Sequence, residues 1–196
     1  MQRTFPNLMT MEAVKGFEFI TFAQENADRE ATHSAMLPFT RNLFDPMDFT
    51  PMVLGDIPNL ERRTTNGFQL ALPVLFYSGI QHLVTTPEQM QAVPDYVKDY
   101  LRDLPGQWDE SRFLQGFPGK FVVIARRAGT RWYVAGINAE DQPKQLELDL
   151  SFIEHSDGHA IFDGDSPREF RQSPVQAAVQ QVTLLSGAGF VMIFSP

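Results

Sequence analysis

Two periods divide the chain. Up to about residue 104 the apolar positions fall in runs and helical stripes, and beyond Pro105-Gly106 they follow a period of two. In the first region the apolar run 5–11, with Pro6 and Asn7 inside it, predicts a short buried strand. Between residues 29 and 39, Ala31, Ala35, Met36 and Phe39 recur at near-helical spacing, and Pro38 predicts the end of that helix. Residues 42–51 read as extended chain pinned by Pro46 and Pro51. Thr64-Thr65-Asn66 predicts an N-cap for a long apolar helix reaching about Val84. Pro87 restarts a helix, and Tyr96, Val97, Tyr100, Leu101 and Leu104 mark another over residues 95–104.

In the second region, residues 120–126 and 131–137 read as strands joined by a tight Ala128-Gly129-Thr130 turn. Residues 145–152 alternate cleanly, which predicts one wet and one buried face. Residues 159–162, 178–185 and 190–194 add three strands, with Ser186-Gly187 turning the last pair. Six closely spaced strands predict an antiparallel sandwich or sheet. The fold class is therefore α/β plus all-β, with a helical α/β piece over 1–104 and an all-β domain over 105–196.

Composition narrows the function. Hydrophobic content of 43% and charged content of 20% describe an ordinary globular protein. Seventeen Phe against four Tyr predict an aromatic-rich core. A net charge of -8, with Arg62-Arg63 and Arg126-Arg127 only isolated basic pairs and no basic stripe, argues against a nucleic-acid partner. Cysteine is absent, which excludes disulfides and thiolate metal sites. The longest apolar stretch, residues 70–80, is too short for a membrane span, and the N-terminus has no apolar core of a signal peptide.

The candidate chemistry lies in Asn7-Leu-Met-Thr-Met-Glu-Ala-Val-Lys-Gly-Phe-Glu18. A buried strand ends in the carboxylate of Glu12; a loop pivoting on Gly16 then leads to Glu18, between Phe17 and Phe19. Barrel enzymes place catalytic groups just past the ends of their strands. Flanking aromatics would also supply the desolvated setting that a general acid uses. On spacing alone, two glutamates six apart are more often solvated surface charges than a catalytic pair.

The words themselves resemble glycoside hydrolase family 97. The resemblance rests on the run from Phe5 to Glu18, on Leu37-Pro-Phe-Thr-Arg41 followed by Pro46-Met-Asp-Phe-Thr-Pro51, and on Trp108-Asp109-Glu110 leading to Ala125-Arg126-Arg127 and Trp132-Tyr133. It implies that residues 1–104 are the last quarter of a (β/α)8 barrel, carrying two of eight strands, and that 105–196 form the family's C-terminal β-sandwich. It implies an exo-acting α-glucosidase or α-galactosidase with calcium in its site, acting on terminal α-linked sugars in the periplasm or outside the cell. Glu18 then matches the general acid, and Glu12 and Glu18 match carboxylate ligands of the calcium. The remaining catalytic carboxylates fall outside these residues, so the site is incomplete in this chain. Asp45 departs from the family, which usually has Gly before Pro46. The competing reading is a non-catalytic remnant or accessory β domain with a structural or weak sugar-binding role. An open barrel edge would favour an oligomer.

Other chemistry-bearing residues have plainer readings. His33 reads as a helix-start or partly exposed histidine, with a substrate hydrogen bond as the alternative. Asp48 fits a second-layer site group or a partner for Thr50 or a nearby backbone amide in a Pro-bounded turn. Trp108 reads as a packing anchor, Asp109 as a turn residue and Asp163-Gly164-Asp165 as a turn. Trp132 and Tyr133 fall on opposite strand faces, so at least one belongs to the core.

Overall fold

In the computed structural model, which describes residues 4–154 and 157–196, helices precede strands along the chain. The helices are α1 (Phe17–Ile20), α2 (Gln24–Met36), which runs into a 3-10 turn over Leu37–Phe39, α3 (Arg41–Phe44), α4 (Asn66–Leu75), α5 (Pro87–Ala92) and α6 (Asp95–Arg102). The strands are β1 (Glu110–Phe117), β2 (Phe121–Ala128), β3 (Arg131–Asn138), β4 (Lys144–Asp149), β5 (Asp157–Asp163), β6 (Phe170–Gln176), β7 (Val179–Leu184) and β8 (Gly189–Phe194). Six strands form an antiparallel sheet in the order β1-β2-β3-β8-β5-β6, and β4 pairs with β7 in a second sheet. No described helix is long and apolar enough to cross a membrane.

Both faces of the large sheet are covered. On one face Val123, Ala125, Trp132, Val134, Phe190 and Met192 pack against Leu146, Leu148, Val182 and Leu184 of the small sheet. On the other, Val122, Ile124, Tyr133, Ala135, Val191 and Ile193 pack against α4 and its neighbours. This is the β-sandwich read from the sequence, with a helical layer added outside it. A strand buried on both faces reads as a continuous apolar run, as β8 does.

Every residue of α4 is buried, so its polar ends are satisfied from within the protein. At its start the Asp163 carboxylate accepts from the Gly67 amide (2.7 Å) and the Thr65 hydroxyl (2.8 Å), and Thr65 accepts in turn from the Phe68 amide. At its end Arg126 donates to the carbonyls of Val74 (2.6 Å) and Leu75 (3.1 Å) and to Ser111 (2.7 Å). Burial pulls the Arg126 pKa down to about 10, which leaves it charged at neutral pH. The helix touches β8 backbone to backbone: a Cβ on Gly67 would lie 2.5 Å from the Gly189 carbonyl oxygen.

Several sequence expectations are corrected. The barrel strands expected within 1–104 do not form. Residues 5–11 make no strand, and the segment's parallel pairing is the single bridge between Met11 and Met47. A parallel ladder needs neighbouring strands and covered faces, which two segments alone do not provide. The apolar helix stops at Leu75 rather than near Val84, because Phe76 turns extended where Arg126 takes the last carbonyls. Pro38 does mark the end of its helix: α2 stops at Met36, and Pro38 sits in the 3-10 turn that follows. Two strands were unread: β1, half-exposed and bulged between Phe113 and Gln115, and β6, polar and carrying Pro174. Both are edge strands, where polar residues and Pro are tolerated. Ser186-Gly187 does turn the chain, but it joins strands of different sheets, since β7 pairs with β4 and β8 with β3 and β5.

Limited proteolysis with mass mapping should yield a resistant fragment that begins upstream of α4; a stable fragment starting near residue 105 would contradict the packing of that helix. Replacing Arg126 with Met leaves buried carbonyls unpaired and should destabilise the chain by about 1–3 kcal/mol in urea denaturation. An unchanged midpoint would show that the helix end is satisfied another way.

Candidate functional site

The chain enters the site through the Met11–Met47 bridge, reinforced by the Asp48 amide donating to the Met11 carbonyl at 2.9 Å. Arg41 gathers the two segments. Its guanidinium donates to the carbonyls of Met11 (2.8 Å), Glu12 (3.4 Å), Asp45 (3.2 Å) and Pro46 (3.3 Å). Glu12 follows, exposed, and Ala13 takes the left-handed conformation at φ 73°. That backbone costs a non-glycine residue about 1–2 kcal/mol and persists only where surrounding contacts fix it.

Gly16 lies hard against the second segment; a Cβ there would come within 2.3 Å of the Thr50 hydroxyl. The Phe17 amide donates to the Thr50 carbonyl at 3.0 Å, and α1 begins. Phe17 is buried, whereas Glu18 is exposed on the outer side of α1 and Phe19 is 43% exposed. The aromatic enclosure expected around Glu18 is therefore not built: one ring enters the core and the other lies on the surface.

Glu12, Lys15 and Phe19 line one side of a cavity of about 820 Å³, and Asn26, Asp28 and His33 of α2 line the other. Glu18 lies outside this lining. The Lys15 amide donates to His33 Nε2 at 3.2 Å, and the Lys15 ammonium donates to Asn26 Oδ1 at 3.1 Å. Asn26 Nδ2 donates to the Phe19 carbonyl at 3.0 Å. His33 sits in the last turn of α2, not at a helix start, and burial, aided by the Lys15 charge, pushes its pKa down.

Behind the cavity lies a buried polar network that the sequence did not signal. Glu30 is 1% exposed and accepts from the Thr64 hydroxyl (2.8 Å) and from Gln69 Nε2. Burial pushes its pKa up to about 7, against the pull of those two bonds and of Arg62 and Arg168. Arg62 donates to Thr64 O, Val53 O and Asn66 Oδ1, and Asn66 donates to the Arg168 carbonyl at 2.7 Å. Arg168 closes the network on the carbonyls of Thr64 (2.9 Å) and Arg62 (3.1 Å). A continuous polar path thus runs from the cavity wall to the β domain.

The remaining candidates fall elsewhere. Asp48 meets His82 Nδ1 at 3.2 Å rather than Thr50. Trp108 packs edge-on to Tyr133, with ring centroids 5.4 Å apart, and the Asp109 carboxylate accepts from the Gly129 amide at 2.7 Å in the hairpin turn. Glu110 pairs with Arg112 and Arg127, whose hydrogen bonds hold its carboxyl below the usual range. Asp163 is more than a turn residue, since it caps α4. Trp132 and Tyr133 are both buried, one in each core.

Among the described residues no group of three or more His, Asp or Glu side chains is placed to hold a metal ion. Calcium takes six to eight oxygen ligands. Glu12 and Glu18 offer the right donor chemistry in too small a number, so these residues do not by themselves make a complete calcium site.

Comparison with known proteins places this geometry in context. Residues 107–195 match the family model described as "Glycosyl-hydrolase 97 C-terminal, oligomerisation". A "Probable retaining alpha-galactosidase" of Streptomyces bingchenggensis is 41% identical over 136 residues, which is 69% of this chain and 20% of that protein. A solved beta-arabinopyranosidase superposes with a TM-score of 0.87 at 31% identity, covering 94% of this chain and 31% of that one. A glycoside hydrolase family 97 enzyme from Pseudoalteromonas sp. strain K8, solved with acarbose, gives a TM-score of 0.83 at 31% identity, covering 99% of this chain and 32% of its own. The chain thus spans between a fifth and a third of these relatives.

Glu30 makes stability depend on pH. Its carboxyl is raised from 4.5 to about 7, so the folded state binds the proton more tightly than the unfolded state. The resulting stabilisation is full below about pH 4.5 and is lost as pH rises towards 7, by about 3 kcal/mol at most. Glu30→Gln should flatten this slope, matching the parent at pH 5 and exceeding it in melting temperature at pH 8. Parallel melting curves for the two proteins across that range would show that Glu30 is not the titrating group.

Proposed function

The chain corresponds to a C-terminal portion of the glycoside hydrolase 97 family, and we propose that it completes the active site of an exo-acting α-glycosidase. In this reading Glu18 is the general acid, and Glu12 and Glu18 lend carboxylates to a calcium ion. Joined to the part of the relatives that this chain does not span, residues 1–104 would close a (β/α)8 barrel that they do not form alone, and 105–196 are the β-sandwich that supports it. The observation that carries the reading is the placement of both glutamates on one anchored loop. That loop leaves the end of a parallel-bridged segment, with Glu12 at the rim of the cavity of about 820 Å³.

The chemistry follows from what such a pair can do. Glu18 is exposed, at the start of α1, with its amide 3.5 Å from the Thr50 hydroxyl, so its carboxyl is free to meet a glycosidic oxygen. Protonating that oxygen as the bond breaks turns a poor leaving group into an alcohol. A second carboxylate must then attack the anomeric carbon or activate water. It belongs in this proposal to the part of the relatives that this chain does not span. Calcium would supply a fixed positive charge that orients carboxylates and sugar oxygens; Arg41 and Thr50 hold the loop. A terminal α-galactoside is the substrate favoured by the Streptomyces relative, and the acarbose complex makes an α-glucoside the comparison sugar.

In the full-length enzyme, Glu18→Gln should lower kcat/KM on a natural α-linked disaccharide by about 10²–10⁴-fold. The loss should be much smaller on p-nitrophenyl α-galactoside, whose leaving group needs little protonation. Equal losses on the two substrates would mean that Glu18 is not the acid. The 196-residue chain alone should hydrolyse neither substrate above background and should bind calcium no tighter than about millimolar in calorimetric titration. Tight binding would show that it holds a full ligand set.

A further inference from the structure

The loop bearing the two glutamates is held along one side by one helix face. Asn26 and His33 are seven residues apart on α2, two turns, which puts them on one stripe of that helix. Both reach the loop. His33 Nε2 accepts from the Lys15 amide at 3.2 Å, Asn26 Oδ1 accepts from the Lys15 ammonium at 3.1 Å, and Asn26 Nδ2 donates to the Phe19 carbonyl at 3.0 Å. Lys15 lies midway between Glu12 and Glu18, and Phe19 directly follows Glu18. The opposite side of the loop is closed by Thr50, against Gly16 and Phe17. Ala13, at φ 73°, is the strained backbone that such anchoring must sustain.

We infer that Asn26 and His33 are positioning residues that set the separation of the two carboxylates, and that His33 does so as a neutral imidazole. Accepting a backbone hydrogen bond at Nε2 requires that nitrogen to be unprotonated, which places the ring proton on Nδ1. The surroundings favour that form. Burial disfavours the cation, as does the Lys15 ammonium, while Glu12 on the loop and Asp28, Arg29 and Glu30 on α2 line the same cavity. Protonated His33 would turn an acceptor into a donor facing an amide and release the middle of the loop. The functional weight of this anchoring rests on the reading of Glu12 and Glu18 given above; the anchoring itself does not.

Amide hydrogen exchange on the isotopically labelled 196-residue chain tests it. The Lys15 amide should exchange about tenfold slower near pH 7 than its sequence dictates, as one intramolecular hydrogen bond allows. His33→Phe should abolish that protection. His33→Gln should retain it, because a carboxamide oxygen accepts in place of Nε2. Acidification should abolish it in the parent chain and leave it in His33→Gln. The amides of Val134 and Met192, in the central sheet, should stay protected in all three proteins. An unprotected Lys15 in the parent chain overturns the inference, and so does protection that survives His33→Phe. In the full-length enzyme His33→Phe should lower kcat about tenfold with KM little changed, and His33→Gln should recover it. Full activity of Glu18→Gln there would refute the catalytic role while leaving a His33-dependent Lys15 amide intact, so the two failures are distinguishable.

Discussion

A helix with no exposed residue must settle both of its polar ends inside the protein, and that constraint organises this chain around α4. The aligned peptide dipoles leave partial positive charge at its start and partial negative charge at its end. Asp163, from the end of β5, meets the first, and Arg126, from β2, meets the second. Each buried charge gains hydrogen bonds that offset part of its desolvation. Burial still raises the Asp163 carboxyl and lowers the Arg126 guanidinium. Since both partners come from the large sheet, helix and sheet cannot be independent units, although the sequence changes character between them.

The site hangs from this clamp. Thr64 and Gln69, beside and within α4, hold Glu30 of α2, and α2 holds the loop of Glu12 and Glu18. Arg62, Asn66 and Arg168 tie the same corner to the β domain through a network whose bonds go largely to backbone carbonyls. The β-sandwich can therefore govern how accurately the loop of Glu12 and Glu18 is held. It supplies the fixed wall from which the helical layer measures its distances.

Legibility in the sequence followed the range of the interactions. The β2–β3 hairpin was readable because apolar runs and a Gly129 turn lie within a few residues of each other. The Thr65 cap was readable for the same reason. The end of α4 was not, because it depends on Arg126, 51 residues from Leu75. Edge strands β1 and β6 hid behind polar side chains that a solvent-facing strand is free to carry. At the site, Glu12 and Glu18 stood out through a strand-end pattern and a family word, but the aromatic enclosure read from Phe17 and Phe19 was not built. Arg41, Asn26 and Thr50 act through carbonyls and amides, which any sequence possesses.

The doubly covered sheet has a consequence for how such a protein can change over generations. In β2, β3 and β8 neighbouring side chains serve different cores, with Trp132 in one and Tyr133 in the other. Gaining or losing one codon inside these strands would exchange the two sets at a stroke, emptying one core and overfilling the other. Chain length should therefore drift at the hairpin tip around Gly129 and at the edge strands, while the three central strands keep their length.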